Sequence, residues 1–403
     1  MQGLWEDAID RLLDLEQTKV GSMDSLLWHQ AEMMIFHLSL RQPGPQNLKK
    51  AFEILERLAQ EAASNPVHSR EKSYNAWQKM DIYLVHAILK SWNQLFRKRM
   101  DHTRPSIVCE RIERCLEISK GRLFEPNVVT YTIILDGAAH CPDPKERLIF
   151  SEDLLARLIV DSEENAALRP TAVTFGTVIH AFAKSGSVLL AEKAEGLLRR
   201  LQQLHESGWP DVEPNTIMYT QVIHGWANVG EAERAEALLQ EMYRDSVLHG
   251  KKNVLPSLWT FNSVLAAWSK SNDPRCISFA EILLRKMIDF SKDNDSPVQI
   301  TPNMISYNCM LSTIARRRKH KDSLKKAEFW MEELLEFSRQ SKTRKNATPT
   351  RYTYNTLFNI IALSGIPDKA ERARFWLEQS VDPKLMNDKA LLQRIHDLES
   401  NSN

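Results

Sequence analysis

The sequence predicts an all-α fold, an α-solenoid superhelix of tandem helix-turn-helix repeats. Three observations predict it: one proline-led apolar pattern returns six times, the returns are evenly spaced, and a second pattern of helical period follows each. The stretches are PNVVTYTIILDGAAHCP from Pro126, PTAVTFGTVIHAFAKSG from Pro170, PNTIMYTQVIHGWANVG from Pro214, PSLWTFNSVLAAWSKSN from Pro256, PNMISYNCMLSTIARRR from Pro302 and PTRYTYNTLFNIIALSG from Pro349. The first residue after each Pro-x pair gives the starts Val128, Ala172, Thr216, Leu258, Met304 and Arg351, spaced 42 to 47 residues apart. Self-similarity at such a period marks an array that grows by stacking and not by enlarging one core.

Each start opens a first helix. In the third repeat Ile217, Tyr219, Val222, Ile223 and Trp226 recur at helical spacing, and Gly, Asn or a basic cluster is expected to end the helix. Asn127, Asn215, Ser257 and Asn303 follow a proline and precede a helix, which suits them as N-caps. Trp226 and Trp268 fall on the apolar period and are expected to pack. The second helix carries a small residue followed by a charge: Ser151-Glu152, Ala194-Glu195, Ala235-Glu236, Ala280-Glu281, Ala327-Glu328 and Ala373-Arg374. A small residue lets two helices approach closely. Neither helix can bury its apolar stripe alone, so the hairpins must stack.

The N-terminal third is more degenerate. IYLVHAILKSW from Ile82 fits the first-helix pattern without its proline, and KKAFEILERLAQEA from Lys49 fits a second helix. A helix over 1–19 and the segment from Trp28 to Leu40 are expected to continue the stack, for roughly eight helical pairs with atypical ends as caps. The expected organisation is 1–125 degenerate helical repeats, 126–380 six full repeats, and 381–403 a C-terminal capping segment with a polar tail.

Composition narrows the function classes. With 53 basic and 52 acidic residues, an anionic partner must be met by a local patch and not by net charge. Basic clusters stand at Arg97 to Arg104, Ala315 to Lys326 and Arg339 to Arg351. The five cysteines, Cys109, Cys115, Cys141, Cys276 and Cys309, form no C-x-x-C pair, so reduced thiols are expected. No apolar run reaches the roughly 18 residues of a membrane span. The opening MQGLWEDAIDRLLDLE is acid-rich, unlike a transit peptide or secretory signal, and leaves a cytosolic chain or an upstream N-terminus as readings.

A hairpin opening V-T-Y-N or V-T-Y-T, with small-Glu in its second helix and Pro-Asn at its end, resembles the pentatricopeptide repeat. VVTYTIILDG, AVTFGTVIHAFAKSG and RYTYNTLFNIIALSG carry the likeness most closely, over Pro126 to Ser380. The family's repeat is shorter, about 35 residues, and alignment puts the excess between second helix and proline, as in QLHESGWPDVEP and DFSKDNDSPVQITP. Long polar loops are therefore expected there.

The resemblance implies single-stranded RNA binding with one base per repeat, read by two or three side chains. The family's readers are the fifth residue of each repeat and the last, and an aliphatic second residue wedges against the base. Carried over, the pairs are Thr132 with Thr171, Gly176 with Asn215, Thr220 with Ser257, Asn262 with Asn303, and Asn308 with Thr350, while Asn355 stands alone. The wedges are Val129, Val173, Ile217, Trp259, Ile305 and Tyr352, of which Trp259 and Tyr352 depart from the aliphatic norm. The implied site reads purine, A, A, then three pyrimidines, 5′ to 3′. The fifth side chain is expected to face the groove, free of the packing that fixes the aromatic before it.

No catalytic constellation emerges. H-x-E with C-x-x-C, a phosphate-binding Gly-rich loop and H-E-x-x-H are all absent from the sequence. His180 and His224 occupy matching repeat positions and read as structural. The expectation is a non-enzymatic RNA-binding adaptor with no cofactor, metal, membrane or small-molecule substrate. By resemblance it belongs to mitochondrial or plastid RNA metabolism. A protein-binding helical scaffold, or a structural subunit of an organellar ribosome or RNA-processing complex, is the rival class.

Overall fold

A computed structural model describes residues 44–64, 82–119, 123–209, 211–293, 298–317, 322–340 and 348–400. The helix expected over 1–19, the segment from Trp28 to Leu40 and part of each of the two later basic clusters lie outside the described residues. Among the described residues the chain is α-helical with two short 3-10 turns and no strand.

The six first helices are α4 (Val128–Ala139), α6 (Ala172–Ala183), α8 (Thr216–Val229), α10 (Leu258–Lys270), α12 (Met304–Arg316) and α14 (Arg351–Leu363). Each begins at the residue read from the sequence. The cause is local. Asn127 Oδ1 accepts the N–H groups of Val129 and Thr130 at 3.0 and 3.2 Å, and Thr130 Oγ1 takes the Asn127 N–H in return. Ser257 with Thr260, Asn303 with Ser306, and Thr350 with Thr353 build the same reciprocal box, each cap contributing about 1 kcal/mol. The fourth residue of each first helix, Tyr131, Phe175, Tyr219, Phe261, Tyr307 or Tyr354, is buried. Asn127, Asn215, Ser257 and Asn303 all cap their helices. The expected helix stops are met at Gly230, left-handed at φ 81°, and at Arg317, whereas α10 and α14 end at serines.

The second helices are α5 (Pro144–Asp161), α7 (Val188–Glu206), α9 (Ala232–Val247), α11 (Cys276–Lys292), α13 (Ser323–Gln340) and α15 (Lys369–Glu378). Ser151, Ala194, Ala235, Ala280, Ala327 and Ala373 are fully buried in them. The neighbouring charge has its own task. Glu195, Glu236, Glu281 and Glu328 accept the indole N–H of Trp226, Trp268, Trp330 and Trp376 at 2.8, 2.8, 3.2 and 3.1 Å.

Part of the excess repeat length is helix, so the expected loops before α8 and α12 begin one turn later than read. QLHE continues α7 to Glu206, and DFSK continues α11 to Lys292. The flanking residues are good helix formers, and their apolar members Leu201 and Leu204 are buried.

Contacts divide the chain into two compact units, Met1–Phe182 with Leu204–Val212, and Ala183–Gln203 with Glu213–Asn403. In the first, α1 (Pro45–Ser64) packs on α3 (Pro105–Ser119), and α2 (Ile82–Arg97) packs on α4. The fully buried Trp92 lies against Gly137, where a Cβ would stand 2.1 Å from the indole ring. In the second, α8, α10, α12 and α14 pack in succession, with α9, α11 and α13 against the helices on either side. Two further helices close the described chain, α16 (Pro383–Met386) and α17 (Lys389–Ser400), and α17 buries Leu391, Ile395 and Leu398 against α14 and α15.

Candidate functional site

Burial of the fourth residue dictates what its neighbours do. With the aromatic turned into the core, the second residue must point outward. Val129 and Val173 in the first unit, and Ile217, Trp259, Ile305 and Tyr352 in the second, are 45 to 69 % exposed. A large apolar side chain is thus left exposed at the same register position in each of the six first helices.

The fifth residues follow a second rule that the sequence did not announce. Thr132 Oγ1 lies 2.9 Å from Thr174 Oγ1, and Thr220 Oγ1 lies 2.7 Å from Thr260 Oγ1. Asn262 Oδ1 accepts from Ser306 Oγ at 2.7 Å, and Asn308 Oδ1 accepts from Thr353 Oγ1 at 2.8 Å. Every partner is the third residue of the next first helix, the hydroxyl of its capping pair. The fifth side chain is therefore tied and not free, and Thr220 is only 7 % exposed. That corrects the expectation of an unconstrained groove position. Gly176 offers no side chain to tie.

The last-place residues sit at helix mouths. Asn215, Ser257, Asn303 and Thr350 are N-caps, and Thr171 N–H donates to Thr174 Oγ1 at 3.3 Å. One predicted pair is joined directly, Asn262 Nδ2 donating to Asn303 Oδ1 at 3.3 Å. The Asn355 side chain makes no hydrogen bond among the described residues.

The same register runs one helix further back than the readers drawn from the sequence. In α2 the second residue, Tyr83, is 75 % exposed and the fourth, Val85, is fully buried. The fifth, His86, places Nε2 3.0 Å from Thr130 Oγ1, the third residue of α4. Tyr83, His86 and the cap Asn127 thus match the wedge and readers of a further repeat. The signal was present in IYLVH, which aligns with VVTYT, but α2 lacks the leading proline and the third-place hydroxyl.

In the second unit the surface deepens into a cavity of about 600 Å³. Ile305 and Tyr352 line it with Asn308 and Cys309, and Lys270 and Arg316 bring positive charge. Tyr352 Oη lies 3.0 Å from Ser312 Oγ. Lys270 Nζ donates to Asn228 Oδ1 and Arg316 Nη1 to the Ser269 carbonyl, and no carboxylate among the described residues pairs with either. Four cations of the basic clusters do have a carboxylate partner. Arg97 pairs with Asp136, Arg104 with Glu146, Lys326 with Glu281 and Arg351 with Asp388. The clusters therefore supply less free charge than their sequence suggests.

All five cysteines are free. Burial pushes the thiols of Cys109 and Cys115 up to about 12 and that of Cys309 to about 11, far from nucleophilic. Among the described residues no group of His, Cys, Asp and Glu is placed to hold a metal, and no helix is long and apolar enough to cross a membrane. Trp226 and Trp268 are buried, and His224 Nδ1 lies 3.2 Å from Asn228 Nδ2 of its own helix.

Comparison with known proteins bears on the same helices. Residues 204–271 match the pentatricopeptide repeat domain and residues 173–203 the PPR repeat. A pentatricopeptide repeat-containing protein of Arabidopsis thaliana is 27 % identical over 222 residues, 52 % of this chain and 33 % of the relative. Another from the same plant, named as chloroplastic, is 26 % identical over 158 residues, 39 % of this chain and 17 % of its own. The chain thus spans a third or less of the curated relatives it matches. The crystal structure of an engineered protein aligns over 97 % of this chain and 98 % of its own at 14 % identity with a TM-score of 0.37, too loose to carry an argument. Residues 173–271 thus carry pentatricopeptide repeats, and α4, α12 and α14 continue them in register.

Proposed function

We propose that the chain binds single-stranded RNA along its first helices, one base per repeat, as a non-enzymatic adaptor in the RNA metabolism of a mitochondrion or plastid. The observation that carries this reading is the cavity between α10, α12 and α14. Ile305 and Tyr352 offer flat and aliphatic surface to the two faces of a base, and stacking on an aromatic is tolerant of base identity. Asn308 offers polar atoms to the base edge. Lys270 and Arg316, with no carboxylate partner among the described residues, are available to phosphate, whose binding releases counterions. The chloroplastic relative supports an organellar setting, with a cytosolic chain as the alternative. The repeats at α2 to α14 give up to seven reading positions, Tyr83 with His86 and Asn127 included, and 126–380 forms the six-repeat core.

Fluorescence anisotropy with labelled random single-stranded RNA at two salt concentrations tests the reading. Binding is expected at low salt, with a steep loss as salt rises. Lys270→Ala with Arg316→Ala should weaken all sequences alike and flatten the salt slope by about one per lost phosphate contact. No binding at low salt overturns the proposal and leaves a protein-binding scaffold.

A further inference from the structure

We infer that, wherever a first helix carries one, its third-place hydroxyl is a positioning residue that sets the hydrogen-bonding polarity of the reader one repeat before it. At Asn308, Thr353 turns the amide N–H outward, toward a base whose ring nitrogen accepts, cytosine in preference to uracil. The inference rests on the RNA reading above and goes beyond it in naming what selects.

Donor direction carries the argument. Thr353 Oγ1 already accepts the backbone N–H of Thr350 at 3.0 Å. A backbone N–H can only donate, so the hydroxyl hydrogen is free to go elsewhere, and its nearest acceptor is Asn308 Oδ1 at 2.8 Å. The carbonyl end of the amide is thereby occupied, and Nδ2 is the end left for the cavity. Ser306 repeats the relay: it accepts from Asn303 N–H at 3.1 Å and donates to Asn262 Oδ1 at 2.7 Å. At Thr132 the hydroxyl hydrogen goes to the Val128 carbonyl at 2.7 Å, so Thr174 must be the donor to it, and Thr132 is left as an acceptor. The same relay thus leaves an amide N–H at one repeat and an oxygen lone pair at another. Thr353 and Ser306 are fully buried, so the hydroxyls act on the base only through the reader.

The test uses the full chain and an RNA of the sequence that the wild-type protein selects, carrying cytosine or uracil opposite Asn308. Wild type is expected to favour cytosine by about tenfold or more, the size of one well-made contact. Thr353→Val keeps the volume and removes the hydroxyl, so the amide can turn over, and the preference should fall to within about twofold with neighbouring positions unchanged. Thr353→Ser should restore it. Should the valine variant fail to fold, Ser306→Ala read at the Asn262 position makes the same measurement. A valine variant that melts lower but keeps the wild-type cytosine preference overturns the positioning role and leaves Thr353 as a helix cap. A wild type that binds RNA with no preference anywhere overturns base reading itself, and the inference with it.

Discussion

Trp268 donates its indole N–H to Glu236 across 2.8 Å, joining the first helix of one repeat to the second helix of the repeat before it. Trp226 does the same to Glu195. The ring of Trp268 is 1 % exposed, so losing the acceptor strands a donor in the core. Glu236→Ala is expected to destabilise the chain by about 1–3 kcal/mol, the range for a buried polar group left unmatched. Glu236→Gln keeps an acceptor and should lose less. Urea midpoints of the three proteins decide it, and an alanine variant as stable as wild type would dismiss the joint.

At Gly137 two first helices of the N-terminal unit approach closely. A Cβ there would stand 2.1 and 2.4 Å from atoms of the Trp92 indole, which is fully buried and donates to the Thr103 carbonyl. The ring cannot swing aside without losing that bond. Gly137→Ala should therefore destabilise by about 1–3 kcal/mol through overpacking, against the small gain alanine brings to an open helix. Pairing it with Trp92→Phe, which shortens the ring, should recover part of the loss. A stabilising Gly137→Ala in thermal melts would refute the close approach.

Glu241 gives a pH dependence whose sign follows from its surroundings. Burial pushes its carboxyl up, but hydrogen bonds from Arg199 at 2.6 Å, Tyr219 Oη at 2.8 Å and Gln202 at 3.1 Å outweigh it, and the group lies below its ordinary 4.5. A carboxylate depressed in the folded state contributes stability above its unfolded value and loses it as pH falls through the folded value. Wild type should thus exceed Glu241→Gln most at about pH 6 to 7, and the gap should narrow below about pH 4.5. Denaturation midpoints of both proteins at several pH values measure it. A gap that is constant down to about pH 3 would count against the depressed carboxyl.

The helix starts were legible because their causes are local. A proline and a polar residue immediately precede each start, and a third-place hydroxyl joins them in all but α8, where Met218 stands; the helices begin at Val128, Ala172, Thr216, Leu258, Met304 and Arg351 as read. What stayed hidden depends on residues about 40 positions away. The tie between Thr220 and Thr260 cannot be seen from either residue's neighbours, nor can the ion pair that removes Arg97 from the free cations. The repeat at α2 was read as a helix but not as a reader, because it lacks the leading proline and Leu84 stands where five of the six later first helices carry a hydroxyl. The second helices ran longer than expected because QLHE, polar at its ends, hides a buried leucine between them.

Thr220 and Ser257 provide the sharpest test of base reading, since the structure itself supplies the template for changing them. Two helices apart in the array, Asn262 occupies the same fifth place as Thr220 and is held by Ser306 as Thr220 is held by Thr260. An asparagine at 220 would therefore meet a hydroxyl partner of the kind an asparagine already uses at the next repeat. Aspartate at 257 caps a helix as well as serine does, so α10 should start as before. Thr220→Asn with Ser257→Asp should leave the melting temperature within a few degrees of wild type. At that position the aspartate, and not the amide, would meet the ring nitrogen, and because ionised aspartate only accepts it suits a ring N–H, while the amide N–H serves a base carbonyl. The selected nucleotide at that position is expected to move from adenine toward uracil by about tenfold or more in relative affinity, with the others unchanged. Binding-site selection on both proteins measures this. The same motif from both, or none from either, would remove Thr220 and Ser257 from the readers.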